Sequence, residues 1–341
     1  MALRYFSKLH KHQASVCNLL TPPGGVVCNA NFAALALQKC NPSPSPRVSS
    51  LSSGCGCGSS AYFVRAFSSR PVKLAYDVLE GDPGHDSSPI VILHGLFGSK
   101  NNWSSLAKKM NLELGRTVVA VDARNHGESE HNDEMSYEAM SQDIVNLIKN
   151  ELKVEKCTLI GHSMGGKTAM YTAITQPSVV DSLLVVDIAP CPSPSSAMNI
   201  EAYMTTLMKI KFDNSLTLSQ VRRNVATQIV EHLPDMDASL RYFMSTNVVQ
   251  RGDEFAWRIN LKAILDHRED IGGFPEVNKT YNGITEFVGG SKSEYIGPKT
   301  LPDIKRLFPE AIIRSISGAG HWVHSDNPQE FLEVVRPFLH E

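Results

Sequence analysis

From residue 89 onward, apolar residues gather in short runs separated by longer segments of helical spacing. Pro89 to His94, Thr117 to Asp122, Lys156 to Gly161 and Ser182 to Asp187 lack polar alternation, the pattern of strands buried on both faces of a sheet. Between them Ser136 reads as an N-cap, after which Met140, Ile144, Leu147 and Ile148 fall on one helical face. Thr168 to Thr175 predicts another helix, with Ala169 and Ala173 close to the sheet. This alternation predicts an α/β fold: a mostly parallel central sheet with helices on both faces.

The alternation stops after Asp187. Residues 191–283 are mainly helical and less regular, with helices expected at Ile200 to Ile210, Leu218 to Val230 and Leu261 to Ile271. Strand patterns resume at Ile284 to Val288 and Ala311 to Ile316, with a helix at Leu301 to Phe308 between them and another at Pro328 to Leu339. The expected organisation is a core made of 68–190 and 284–341, interrupted by a helical cap or lid over 191–283. A separate second domain is the alternative.

Composition changes the picture at the N-terminus. The first 76 residues contain no Asp or Glu but eight Lys or Arg, and are rich in Ser, Pro and Gly. This is the character of an organelle transit peptide rather than a secretory signal, which needs one compact apolar stretch. Arg65-Ala66-Phe67-Ser68-Ser69 resembles a mitochondrial processing site with cleavage after Phe67. Residues 1–67 are therefore expected to be a disordered, cleavable address for the mitochondrial matrix, with the chloroplast as the alternative. Beyond it only Cys157 and Cys191 remain, with no metal-ligand spacing and no disulfide framework. From Ser68 onward 27 basic face 35 acidic residues, a balance of −8, which argues against nucleic acid as a partner. No apolar run approaches the ~18 residues needed to span a bilayer.

Candidate chemistry centres on Gly161-His162-Ser163-Met164-Gly165-Gly166-Lys167-Thr168. As G-x-S-x-G it is a nucleophile elbow presenting Ser163; as G-x-x-x-x-G-K-T it is a phosphate-binding loop. Both need a strand before and a helix after. The rest of the chain favours the elbow. His94-Gly95-Leu96-Phe97-Gly98 follows a strand one unit earlier, where an elbow enzyme needs a loop whose amide helps to hold an oxyanion. The amides of Leu96 and Met164 are the expected pair. Gly318-Ala319-Gly320-His321-Trp322 follows the last strand, so Ser, acid and His come in the chain order of an α/β-hydrolase triad. Among twelve histidines, His321 is the expected base and His324 its rival; His94 and His162 are read as shaping backbone.

The acid stays open at this level. The stretch Gly289-Gly290-Ser291-Lys292-Ser293-Glu294 carries Ser293 where an Asp is usual, with Glu294 one residue off. Asp187 ends the strand after the elbow helix; Asp266 and Asp270 are further candidates. Asp122 and Arg124 are read as loop-fixing residues. Phe97, Met164 and Trp322 flank the reacting centre as a substrate wall, with core packing the alternative.

HGLFGSKNNW (94–103), VDARNHGES (121–129), GHSMGGKTAM (161–170), VVDIAP (185–190) and GAGHWVHSDNPQEF (318–331) resemble the mitochondrial α/β-hydrolase domain-containing protein 11 group and its bacterial esterase relatives, from about Ile90 to Phe338. The resemblance implies an α/β-hydrolase fold, serine esterase or lipase-like activity, no metal and no cofactor, with Ser163 and His321 catalytic. Bacterial relatives place the acid where Asp187 stands. Animal members have been assigned an Asp in a Val-Asn-Leu-Asp stretch of the cap, where this chain has Ile259-Asn260-Leu261-Lys262; a Lys cannot serve. The expected substrate is a small-molecule acyl ester or thioester, cleaved through an acyl-enzyme. A ligand receptor with slow turnover is the non-enzymatic alternative. Oligomeric state is not legible.

Overall fold

A computed structural model describes residues 70–84, 87–194 and 199–340. The expected transit segment, 1–67, lies outside the described residues.

Seven strands form the central sheet: β1 (Tyr76–Leu79), β2 (Ile90–Leu93), β3 (Val118–Val121), β4 (Cys157–His162), β5 (Val180–Val186), β8 (Ile284–Gly290) and β9 (Ile312–Ile316). Their order is β1-β3-β2-β4-β5-β8-β9. Only β1 is antiparallel, pairing Tyr76 with Val121 and Leu79 with Val118. Two residues of this edge strand are exposed, so it lacks the continuous apolar run that marks its neighbours, and the sequence pattern misses it. Residues from β2 through β5 are nearly all buried.

Helices cover both faces because alternate strand residues point opposite ways. Val91 and Leu93 pack with α2 (Tyr137–Asn146), α3 (Met164–Thr175) and α9 (Leu301–Leu307). Ile90 and Ile92 pack with α1 (Ser104–Leu114) and α11 (Pro328–His340). A short α10 (Val323–Asp326) precedes α11. Ser136 caps α2 by accepting from the Ala139 amide at 3.3 Å, and Met140, Ile144, Leu147 and Ile148 are all buried. β3 and β4 lie on either side of β2. The chain therefore reverses its direction of sheet growth there, and open α/β sheets bind ligands in the crevice at such a reversal.

Between β5 and β8 lies an insertion of α4 (Ile200–Lys209), α5 (Leu218–His232), α6 (Ala238–Ser245), the hairpin β6 (Val248–Arg251) with β7 (Glu254–Trp257), α7 (Leu261–Asp266) and α8 (Arg268–Gly272). The hairpin departs from the helical reading. So does the break at His267, where one expected helix becomes two. Met204, Val225, Ile229, Met244, Val248 and Ile264 of the insertion join Leu96, Phe97 and Met164 of the core in one apolar cluster. Among the described residues, no helix is long and apolar enough to cross a membrane.

Candidate functional site

Ser163 stands between the end of β4 and the start of α3 with φ 53° and ψ −119°. This is strained for a residue with a Cβ, at a cost of about 1–3 kcal/mol. Close packing around the bend enforces it. A Cβ on Gly165 would lie 2.5 Å from the carbonyl oxygens of Leu93 and His94, and one on Gly161 would lie 2.3 Å from the Gly165 oxygen. The two glycines of the elbow are thus steric requirements of a sharp turn against β2.

The elbow aims Ser163 Oγ at His321, whose Nε2 is 3.0 Å away. His321 Nδ1 lies 2.8 Å from Asp187 Oδ2. A carboxylate only accepts, so Nδ1 carries the proton, and in the corresponding neutral tautomer Nε2 is the acceptor for the serine hydroxyl. Asp187 is fully buried and adopts φ 50° just beyond β5. Its carboxylate is held by two further donors, the Gly290 amide at 3.0 Å and the Ser293 hydroxyl. Ser293 stands where an Asp is usual at the end of this strand; its hydroxyl instead donates to Asp187 on the neighbouring strand. Glu294 is exposed. Asp270 pairs with His267 at 2.7 Å. Asp266 pairs with Lys262 at the surface.

The imidazole is fixed from its face and its backbone as well. Tyr295 stacks on His321 at a centroid distance of 4.1 Å and 24°. Burial, with Asp187 adding to it, pushes the Tyr295 phenol up to about 12. His162 Nε2 donates to the His321 carbonyl at 2.8 Å, and burial holds His162 well below the usual imidazole range. His324 does not reach the serine; it stacks on Trp103 at 4.1 Å and 6°.

The loop after β2 packs onto the elbow: a Cβ on Gly95 would be 2.8 Å from His162 Nδ1 and 3.2 Å from Ser163 Cβ. Among the described residues the amides of Leu96 and Met164 have no acceptor. His94 Nδ1 donates to the Gly95 carbonyl at 2.7 Å and its Nε2 accepts from the Ala123 amide at 3.0 Å. Phe97 is buried in the apolar cluster shared with the insertion. Trp322 is half-buried beside His321 and meets Phe243 of α6 edge-on at 6.4 Å.

The lysine of the phosphate-loop reading turns away from the elbow. Lys167 is buried, and its ammonium donates to Ser193 Oγ at 3.0 Å and to the carbonyls of Gly272 and Gly273 at 2.9 and 2.6 Å. The Thr168 hydroxyl donates to the Met164 carbonyl at 3.0 Å. Neither side chain is available to a phosphate or its metal. Asp122 and Arg124 are structural: Asp122 accepts from the amides of Lys100 and Glu128 at 2.7 and 2.9 Å. Arg124 makes a buried two-pronged pair with Asp143 at 2.6 and 2.8 Å. No motif in the sequence signals the stacking of Tyr295 on His321 or the bond from Ser293 to Asp187.

Over residues 88–328 the sequence matches the family described as alpha/beta hydrolase fold. It is 45% identical over 269 residues to a protein of Danio rerio named sn-1-specific diacylglycerol lipase ABHD11, covering 79% of this chain and 83% of that one. It is 31% identical to esterase YbfF of Escherichia coli, covering 75% of this chain and 95% of that one. A solved marine microorganism esterase superposes with a TM-score of 0.70 at 33% identity, covering 78% of this chain and 99% of that one.

Proposed function

The chain belongs to the alpha/beta hydrolase fold family and is an ester-hydrolysing enzyme, and from that premise we propose that it is a serine hydrolase cleaving acyl esters through Ser163, His321 and Asp187. The observation that carries the reading is the unbroken chain from Ser163 Oγ through both nitrogens of His321 to a buried carboxylate.

Ser163 attacks the ester carbonyl while His321 takes its proton at Nε2, and Asp187 stabilises the imidazolium that forms. The amides of Leu96 and Met164 receive the oxyanion; in such sites one donor contributes about 3–4 kcal/mol. His321 returns the proton to the leaving alcohol, and a water repeats the sequence to release the acid. A thioester enters the same steps with a thiol as leaving group. The insertion serves as a cap. Its apolar cluster reaches Leu96, Phe97 and Met164, which suits an acyl chain rather than a charged group. Glycerolipid esters are the substrate class that this wall and the lipase among the relatives favour together. Residues 1–67 serve as a cleavable address to the mitochondrial matrix.

The test is labelling by a serine-directed fluorophosphonate together with hydrolysis of acyl p-nitrophenyl esters and diacylglycerol. Wild type labels and turns over, and Ser163→Ala does neither. Labelling of Ser163→Ala at the wild-type rate overturns the assignment.

A further inference from the structure

The loop that carries the Leu96 amide is a four-residue turn, closed by the Gly98 amide donating to the Gly95 carbonyl at 3.0 Å. Phe97, third in the turn, has φ 64°, a conformation usually left to glycine at that position. A phenylalanine holds it only where the surroundings insist. Two contacts do so. The Phe97 amide donates to His126 Nε2 at 3.2 Å. The Phe97 carbonyl accepts from the side-chain amide of Asn247 at 2.9 Å, across 150 positions of chain and from the segment joining α6 to β6.

These bonds form a line. Asn247 Nδ2 holds the carbonyl of the 97–98 peptide, whose own N–H holds the Gly95 carbonyl. The Gly95 carbonyl belongs to the 95–96 peptide, and the N–H of that peptide is the Leu96 donor. We propose that Asn247 is a positioning residue through which the insertion sets the direction of the Leu96 oxyanion donor. The inference rests on the serine-hydrolase reading given above.

A second observation separates this role from simple packing. Asn247 is wholly buried, and its Oδ1 has no partner among the described residues. An apolar residue of similar size would remove this unmatched acceptor but would leave the buried Phe97 carbonyl without its donor. The two penalties oppose each other, so what the asparagine supplies beyond packing is the NH₂ group that holds the Phe97 carbonyl. The Asn247 backbone is held independently, its carbonyl accepting from the Arg258 amide at 2.7 Å.

The test compares wild type with Asn247→Leu and with Asn247→Ala, on p-nitrophenyl acetate, whose acyl group is too short to extend along the insertion, and on a long-chain ester. Both variants are expected to lose about 10- to 100-fold in kcat on both esters, within the range for a weakened oxyanion donor. KM is expected to stay within about threefold, because ground-state binding does not use the donor. Affinity for a trifluoromethyl ketone, which forms a tetrahedral oxyanion adduct, falls by the same factor as kcat, and the melting temperature of Asn247→Leu stays close to that of wild type, because the unmatched Oδ1 is lost as the Phe97 carbonyl loses its donor. An unchanged kcat on the acetate ester in either folded variant overturns the proposal, as does a loss confined to KM of the long-chain ester. Turnover surviving in Ser163→Ala marks instead a failure of the parent reading.

Discussion

Lys167 offers a test in which the direction of the effect is set by the sign of one proton equilibrium. Its side chain is 1% exposed and meets three neutral acceptors. Burial pushes its amine down to about 7, an effect that Cys191 partly offsets. In the unfolded chain the same amine titrates near ~10.4. Below about pH 7 both states carry the proton and the folded state bears the full cost of a desolvated charge. Between about 7 and 10.4 the unfolded state binds more protons, so stability rises with pH and the penalty is relieved. From pH 7.0 to 8.5 the gain is about 1.5–2 kcal/mol. Lys167→Met removes the titration. It also leaves Gly273 O and Ser193 Oγ short of a donor, at about 1–3 kcal/mol each, whereas Gly272 O keeps its bond from the Ser193 amide. These losses oppose the relief of about 5 kcal/mol expected from deleting the charge at neutral pH, so the midpoint at pH 7 moves little. The slope with pH is the diagnostic. Urea unfolding of wild type and Lys167→Met at pH 7.0 and 8.5, followed by tryptophan fluorescence, should show wild type gaining about 1.5–2 kcal/mol over the variant. Parallel profiles would refute the buried-amine argument.

Three further outcomes follow from the same geometry. Asp187→Asn should lower kcat about 10⁴-fold while Glu294→Gln stays within about twofold of wild type; the reverse order in steady-state ester hydrolysis moves the acid to Glu294. Burial pushes His94 down to about 4 and both His126 and His324 down to about 3. The unfolded chain therefore takes up these protons first, and stability is lost as pH falls below about 6.5, by about 3 kcal/mol per ring by pH 4. The sum is comparable with a typical total stability of about 5–15 kcal/mol, so far-UV circular dichroism should collapse before pH 4; a native spectrum at pH 3.5 contradicts it. Gly165→Ala sets a methyl 2.5 Å from two carbonyl oxygens and should cost more than about 3 kcal/mol, which a melting temperature within 2 °C of wild type would disprove.

Local pattern alone determined a good deal of this protein. Runs such as Ile90–Leu93 and Val118–Val121 announce two-sided burial because every residue in them is apolar, and the spacing of Met140 to Ile148 announces a helix face. The elbow is legible for the same reason: Gly161 and Gly165 sit within four positions of the serine they bend, so their steric necessity is written in adjacent letters. What required the tertiary structure is every relation between distant positions. β1 is a strand because Val118–Val121 offers it an edge; its own half-exposed residues say little. Which of Asp187, Glu294, Asp266 and Asp270 stands beside His321 depends on a left-handed bend at Asp187 and on the path by which Gly290, Ser293 and His321 reach one carboxylate. Lys167 read as a phosphate ligand by spacing, yet α3 turns its side chain under the insertion. Asn247 carries no motif at all. Sequence patterns report what neighbours along the chain must do to be buried or bent. Contacts spanning 134 and 158 residues, like those that His321 makes, exist only once the packing of sheet, helices and insertion has set where each strand ends.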